Sequence, residues 1–352
     1  MWIERIFAGS LIALALAAGA AALLLDTSPA VPGLMPLALT ATPLALDSDD
    51  PARDRVGELR FLGAVQLRST NPLFGGISGL RAGLATVAGV RLLGISDTGN
   101  WLALSSIERG GRLVGATDAV MAPVLRPDGK PAASKRDGDS EALDWDPATG
   151  AATIVYEQDH RLVHFAGIDA AKPGSLAGVP TKIEHLTQMA GWPANGGGEA
   201  MAILPGGTRI VISETARRPD GSRVALLTRD GVTTAIGIDE PDDFSPTDSV
   251  ALDGHRILVL HRRFSPRGQG AALTLVDLAP ALAGTLASPL PGHLLARWSP
   301  PLLMDNMEGL ALVRSGGRAF VYVVSDDNFS GLQRTLLMKF ELPPAIYAGA
   351  AY

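Results

Sequence analysis

The sequence predicts an all-β fold, a β-propeller of five four-stranded blades preceded by an N-terminal hydrophobic helix, with six blades as the alternative. Three observations lead there. Five stretches, 77–99, 140–159, 198–215, 247–263 and 307–327, share one pattern. Each opens on a polar head (Ser78, Glu141, Glu199, Asp248, Glu308), continues through an apolar segment and a turn, and ends in a β-rich strand with a polar tail. The tails are Asp97, Glu157, Glu214, His261 with Arg262, and Asp326. Successive heads lie about 50 to 60 residues apart, the period of a propeller or solenoid array. In an antiparallel hairpin the start of one strand lies beside the end of the next, so heads and tails gather at one end of the fold.

The second observation is the strand count. Behind the head–tail hairpins, third and fourth strands are expected at 101–107 and 113–125, at 161–168 and 181–189, at 223–229 and 232–238, and at 271–278 and 293–298. The fifth repeat has only 335–342 before the chain ends. The third observation supplies its missing strand at the other end of the chain, at 58–67 (ELRFLGAVQL). Closing the ring with both chain ends removes an exposed sheet edge. A sixth blade would have to come from the polar stretch 127–139.

Composition suits this reading. Gly (40) and Pro (25) are frequent among 352 residues, as many short strands and turns require. The formal charge is −6 with no basic stripe, which argues against a nucleic-acid partner. With no cysteine, disulfides, thiolate metal sites and cysteine nucleophiles are excluded. The apolar run 6–25 is long enough to span a bilayer and reads as a signal peptide or membrane anchor. Residues 26–57 carry five prolines (Pro29, Pro32, Pro36, Pro43, Pro51) and read as a tether. The domain proper is expected at 58–343, with a tail at 344–352. The protein is therefore expected to be exported, periplasmic, monomeric, and either soluble or attached to the inner membrane through 6–25.

Inner strands of a propeller line its central channel. Glu141, Glu199, Asp248 and Glu308 would turn their carboxylates toward one axis, joined by the tails Asp97 and Asp326. Such carboxylates repel unless a cation lies among them or some keep a proton. Oxygen ligands select a hard divalent cation, calcium being expected and magnesium or manganese the alternatives. Asp139, Asn195, Thr247, Asp305, Asn306, Asp327 and Asn328 add oxygen donors. The other reading of each acid is a cap on a strand end or turn.

Several short motifs carry less. Asp137-Gly138-Asp139-Ser140-Glu141 alternates acids like a calcium loop but lacks its glycine and its closing glutamate. Ile95-Ser96-Asp97-Thr98-Gly99 looks like half of an aspartic protease site, and its second half never appears. Gly76-Ile77-Ser78-Gly79 falls one residue short of a nucleophile elbow and no helix follows. Of six histidines only His261 stands at a tail. Arg262, Arg263, Arg161 and Arg334 are expected at the same end, where arginine forks would hold a carboxylate or phosphate.

The motifs Gly75-Gly76-Ile77-Ser78-Gly79-Leu80, Ser96-Asp97-Thr98-Gly99, Asp139-Ser140-Glu141-Ala142-Leu143, Asn195-Gly196-Gly197-Gly198-Glu199, Pro246-Thr247-Asp248, Asp305-Asn306-Met307-Glu308-Gly309 and Ser325-Asp326-Asp327-Asn328-Phe329, with Gln333-Arg334, occur in one order. Together they resemble the bacterial phytase-like domain family, also described as having esterase-like activity of phytase. The resemblance implies an exported propeller that hydrolyses a phosphoester or ester, and names no catalytic residue.

From the residues, the first expectation is a metal-dependent hydrolase acting on a small anionic ester. Arg263 and Arg334 would hold the anion, Glu199 or Glu308 would act as base, and His261 is a further catalytic candidate. The metal set is Glu141, Glu199, Asp248, Glu308, Asp97 and Asp326. The alternatives are a non-catalytic, cation-stabilised binding propeller at the cell envelope and a lactonase-like calcium propeller acting on carbon esters.

Overall fold

Strand after strand in this chain places apolar residues on both faces, so each sheet must be covered on both sides. Sheets stacked around an axis meet that requirement. The computed structural model describes residues 33–265, 268–285 and 289–347. Four strands come first: β1 (Met35–Pro36), β2 (Leu39–Leu44), β3 (Arg55–Val56) and β4 (Leu59–Ser69). Blade one follows as β5 (Ile77–Ala85), β6 (Val90–Ser96), β7 (Asn100–Arg109) and β8 (Arg112–Pro123). Blade two is β9 (Ser140–Asp146), β10 (Ala151–Tyr156), β11 (Arg161–Phe165) and β12 (Lys182–His185). Blade three is β13 (Gly198–Ile203), β14 (Arg209–Arg217), β15 (Arg223–Arg229) and β16 (Val232–Ile238). Blade four is β17 (Ser245–Ala251), β18 (Arg256–Ser265), β19 (Gly268–Asp277) and β20 (Gly292–Trp298). Blade five is β21 (Asn306–Ser315), β22 (Arg318–Asp326), β23 (Thr335–Glu341) and then β4 from the start of the chain.

All neighbours within a blade are antiparallel, including β23 with β4, where Leu337 stands opposite Val65. The ring thus closes with five blades, as the strand count requires. The stretch 127–139 holds no sixth blade: it contains a bridge from Leu125 to Pro131 and one helical turn, Lys135–Gly138. The stretch read as a tether is built into the ring from Met35 on. β1 adds a fifth strand outside β8, and β2 and β3 both pair with β4. At the far end Pro344–Tyr347 forms a helical turn that buries Ile346. The hydrophobic run 6–25 lies outside the described residues. Among the described residues, no helix is long and apolar enough to cross a membrane.

The core follows from the period of two along each strand. In β6, Leu92 turns toward blade five and Leu93 and Ile95 turn toward blade two. The same alternation produces one apolar cluster at each of the five junctions between blades. Inner strands approach closely enough to need small residues. A Cβ on Gly309 would stand 2.6 Å from Val324 and 3.0 Å from the Cβ of Leu80 in blade one.

Candidate functional site

Every inner strand enters the ring through the same irregularity. Each inner-strand pairing skips one residue at its start: Ser78, Glu141, Glu199, Thr247 and Glu308. A β-bulge re-aims its unpaired side chain and recurs where a sheet builds a site. The bulged position is the head, so the fourth head is Thr247 and not Asp248. The second strands confirm the register. On each second strand, the residue after the partner of the pre-bulge position is Asp97, Glu157, Glu214, Arg262 or Asp326. Arg262, not His261, is the fourth tail.

The two hydroxyl heads tie blades together. Ser78 Oγ donates to the Ser140 carbonyl at 2.6 Å, and Thr247 Oγ1 donates to the Met307 carbonyl at 3.0 Å. In both cases the accepting carbonyl immediately precedes the next blade's acidic head. The Ser78 hydroxyl proton is thus held by a backbone carbonyl.

The acids gather most tightly at blade two. Asp139, Glu141 and Glu157 each offer an oxygen, and these atoms lie within 4.8 Å of one another. The backbone amides of Gly196 and Gly197 both donate to Glu157 Oε1 at 2.5 Å, which fixes that carboxylate. Gln158 Nε2 donates to Asp139 Oδ2 at 3.0 Å, and Lys135 Nζ stands 3.1 Å from Asp139 Oδ1. Lys135 also reaches Asp97 Oδ2 at 3.4 Å, while Asp97 Oδ1 is buried without a hydrogen-bond partner. Gly76, at φ +60°, leaves room for that oxygen: a Cβ there would meet it at 2.2 Å.

Burial and crowding act together on these carboxyls. Glu141 is pushed well above its ordinary range, by burial first and then by Glu157 and Asp139. Glu199 is pushed up likewise, by burial, then Glu141 and Glu157. Burial raises Glu308 to about 8, outweighing Arg262, with Asp326 and Glu214 adding to the rise. Burial raises Asp326 to about 7, partly offset by the Asn328 amide and reinforced by Asp97 and Asp327. Asp97 is also raised, by burial against the pull of Lys135. Protein donors leave this negative charge incompletely matched. The set suits a hard cation: oxygen donors only, several of them carboxylates, from a chain without cysteine. Asp139, Glu141 and Glu157 could hold it.

Arg262 is the cation that blade four supplies. Its Nη2 donates to Glu214 at 2.8 Å and its Nε lies 3.2 Å from Glu308. The other expected cations do not join it. Arg263 stacks on Phe244, with its guanidinium carbon 5.0 Å from the ring centre. Arg334 is bound to Asp305 and donates to the Met304 carbonyl at 3.0 Å. Arg161 pairs with Asp159 and covers Tyr156. His261 is buried beside Thr274 Oγ1 at 2.8 Å, on the opposite face of β18 from Arg262. Burial and Arg223 hold its imidazole down at about 3, so it is neutral.

Asp248 lies one residue deeper and meets Arg81, which sequence reasoning passed over. The Arg81 guanidinium contacts all five blades. It bonds Leu80 O in its own blade, Met201 O at 2.8 Å, Asp248 Oδ2 at 2.9 Å, Ser249 O at 2.7 Å and Leu310 O at 2.9 Å. Its Nε lies 3.8 Å from Asp144 Oδ1 in blade two. Asp248 also accepts from the amides of Ser249 and Leu310, so its lone pairs are turned to the axis of the ring. Burial raises its carboxyl to about 6 against the pull of Arg81. The one signal for this pair was an arginine in an otherwise apolar strand, ISGLRAGLA.

Five blades with bulged heads agree with the relationship that a family comparison establishes. A model of the phytase-like family, described as esterase-like activity of phytase, matches residues 72–329. The chain belongs to the phytase-like family. The match spans the heads and tails of all five blades of this phytase-like domain. No curated protein matches the chain in sequence. Solved structures similar to it include the catalytic domain of a Coprinopsis cinerea GH62 α-L-arabinofuranosidase, at 13% identity and TM-score 0.45, covering 81% of this chain and 97% of that one. The major Malassezia sympodialis allergen Mala s 1 aligns at 11% identity and TM-score 0.36, covering 88% and 96%. Domains 1–2 of Drosophila Semaphorin 1b align at 10% identity and TM-score 0.34, covering 81% and 55%.

Proposed function

We propose that this phytase-like propeller is an exported hydrolase of phosphoester or carboxyl-ester substrates that works at its acidic mouth with a divalent cation, calcium first among the candidates. The observation that carries the reading is the group of Asp139, Glu141 and Glu157, three carboxylates with oxygens within 4.8 Å. Asp97 and Glu199 are the adjacent donors. A bound cation would polarise the ester oxygen and offset the charge of the acids. The chain's own groups would then move the protons. Glu308, raised to about 8, holds a proton at neutral pH and can give it to the departing oxygen. Asp326, raised to about 7, can take the proton from the attacking water. Water's oxygen joins the acyl or phosphoryl centre as the ester bond breaks. Arg262, beside Glu308, is the fork available to a substrate anion, in place of Arg263 and Arg334.

Metal analysis of the purified protein, then a screen of phosphomonoesters, phosphodiesters and carboxyl esters with calcium, magnesium or manganese, tests this reading. The expected result is turnover that requires the cation and is abolished by Glu308→Gln without loss of fold. Wild-type protein with the cation bound and no ester turned over would leave the binding propeller. The engagement of Arg263 and Arg334 elsewhere favours that second reading, since it leaves one arginine fork at the mouth.

A further inference from the structure

We propose that the acidic mouth is specific for esters whose alcohol part is a flat apolar group, held by two aromatic side chains at its rim, Phe329 and Phe264. The inference rests on the hydrolase reading of that mouth and names its substrate class. Phe329 sits on a strained backbone. Asn328 and Phe329 both lie in the left-handed region, at φ +48° and +51°. A bulky residue is an outlier there, and a glycine would be unstrained. Carboxylates of the mouth hold the turn in place. Asp326 Oδ1 accepts the Asn328 amide at 2.7 Å, and Asp327 Oδ1 accepts the amides of Phe329 at 3.1 Å and Gly76 at 3.3 Å. The turn that carries Phe329 thus hangs from Asp326, the group assigned to the attacking water.

The ring lies on the backbone of Gly75 and Gly76. A Cβ on Gly75 would stand 3.1 Å from it, and one on Gly76 would stand 2.6 Å from it and 2.2 Å from Asp97 Oδ1. The edge of the ring therefore flanks the Asp97 carboxylate. Packing alone does not account for the ring, which stays 45% exposed. Backbone strain that serves a half-exposed side chain points to function. Blade four supplies the second aromatic. Past Arg262, β18 stays paired with β19, and Phe264 stands opposite Gln269. Phe264 shares a face of β18 with Arg262 and is 80% exposed. The cations of the mouth agree with an apolar substrate body. Arg262 is shared by Glu214 and Glu308, and Lys135 reaches Asp97 and Asp139. Arg161, Arg263 and Arg334 are engaged by Asp159, Phe244 and Asp305. A substrate with several phosphates would meet one shared fork among many carboxylates. An ester with one reacting group and an apolar body uses the rim as it is built.

The test uses the full-length chain with calcium present and compares phenethyl with ethyl esters, as phosphates and as acetates. The two alcohols differ little in acidity, so the ratio of kcat/KM reads the contact with the ring. In the ester class that is cleaved, the phenethyl ester should be preferred about tenfold, the scale of one aromatic contact. Phe329→Ala should bring the ratio near one, Phe329→Tyr should keep it, and Phe264→Ala should lower it. Phenethylphosphonate, an uncleavable analogue, should shift the amide signals of Gly75, Gly76 and Phe329 in the wild-type protein, which tests the contact even if a variant does not fold. A ratio near one in wild type, an unchanged ratio in either alanine variant, no shift at those amides, or a polyphosphorylated inositol cleaved in preference to phenethyl phosphate would each overturn the proposal. If no ester is cleaved, the hydrolase reading fails by itself. Phenethylphosphonate should then still bind about tenfold more tightly than ethylphosphonate, and equal binding would overturn the aromatic rim.

Discussion

Blades two and four have the same backbone at the acidic mouth and opposite chemistry. Both inner strands open on a bulge, and in both second strands the tail is the residue after the partner of the pre-bulge position. Blade two puts Glu141 and Glu157 at those positions, and blade four puts Thr247 and Arg262. The acid that blade four does carry, Asp248, is shifted one residue along the strand and spent on Arg81. The comparison teaches that the repeat conserves where a side chain points, not what it is. The result is a polarised mouth, with three clustered carboxylates on one side and a guanidinium on the other. A symmetric ring of acids would hold a cation on the axis. This arrangement places the candidate centre off the axis, at blade two, and gives the axis to Arg81.

The largest effect should come from breaking the axial pair. Arg81→Leu leaves Asp248 buried without its counter-charge, and loss of one partner of a buried pair costs about 3–5 kcal/mol. Urea unfolding should show a loss of that order. The double variant Arg81→Leu, Asp248→Leu should recover much of it, because apolar replacement of both partners is close to neutral. A double variant that loses the sum of the two single losses would mean that Asp248 is not what Arg81 serves.

Blade two supplies the next test. A ligand bound only by the folded state adds about 2.7 kcal/mol at a hundredfold excess over its dissociation constant. Calcium should therefore raise the melting temperature of chelated protein, and Glu141→Gln should remove most of that rise. Asp248→Asn should leave the calcium response intact, since its carboxylate faces Arg81. If Asp248→Asn abolishes the response and Glu141→Gln does not, the two blades have been assigned the wrong way round.

Much of this architecture was legible in the residues. The recurring heads and tails marked the hairpins, and the unpaired fifth repeat pointed to the strand that became β4. The heads in four repeats coincide with the residue that the ladder skips, because each is one isolated acid or serine at the strand's start. The fourth was misplaced by one, because Thr247-Asp248 offers two polar residues in succession and only the ladder shows which is bulged. That slip carried His261 into the site beside Arg262, although neighbouring residues on a strand face opposite ways. Arg263 and Arg334 could not be excluded without their partners, Phe244 and Asp305. Arg81 went unread for a different reason. Its partners are mostly carbonyls from other blades, which leave no pattern in the sequence.

The raised carboxyls predict a pH dependence that separates the two blades from a uniform ring. Glu308 goes from an ordinary value of 4.5 to about 8, and Asp326 from 3.8 to about 7. Between those limits the folded chain holds protons that the unfolded chain has released. Stability of cation-free protein should therefore fall as pH rises through that window. Calcium should flatten the profile most at its alkaline end, where the carboxylates are ionised. A cation-free protein that gains stability from pH 5 to 8 would show that these acids are already matched by Arg262 and Lys135.

The smallest expected effect belongs to Arg262 in blade four, and it is the sharpest test of polarity. Its side chain is 30% exposed, and it faces Glu214 at 2.8 Å and Glu308 at 3.2 Å. A partly exposed pair contributes about 1 kcal/mol or less. Arg262→Gln should therefore cost little at pH 5, where Glu308 is already protonated. The cost should grow toward pH 8, as Glu308 ionises with no counter-charge beside it. Comparing melting temperatures of wild type and variant at the two pH values reads this directly. Arg262→Lys, which keeps the charge without the fork, should track wild type in stability while weakening any anion held at the mouth. Should Arg262→Gln cost the same at both pH values, Arg262 acts by packing alone. The contrast between an acidic blade two and a cationic blade four would then have no electrostatic consequence.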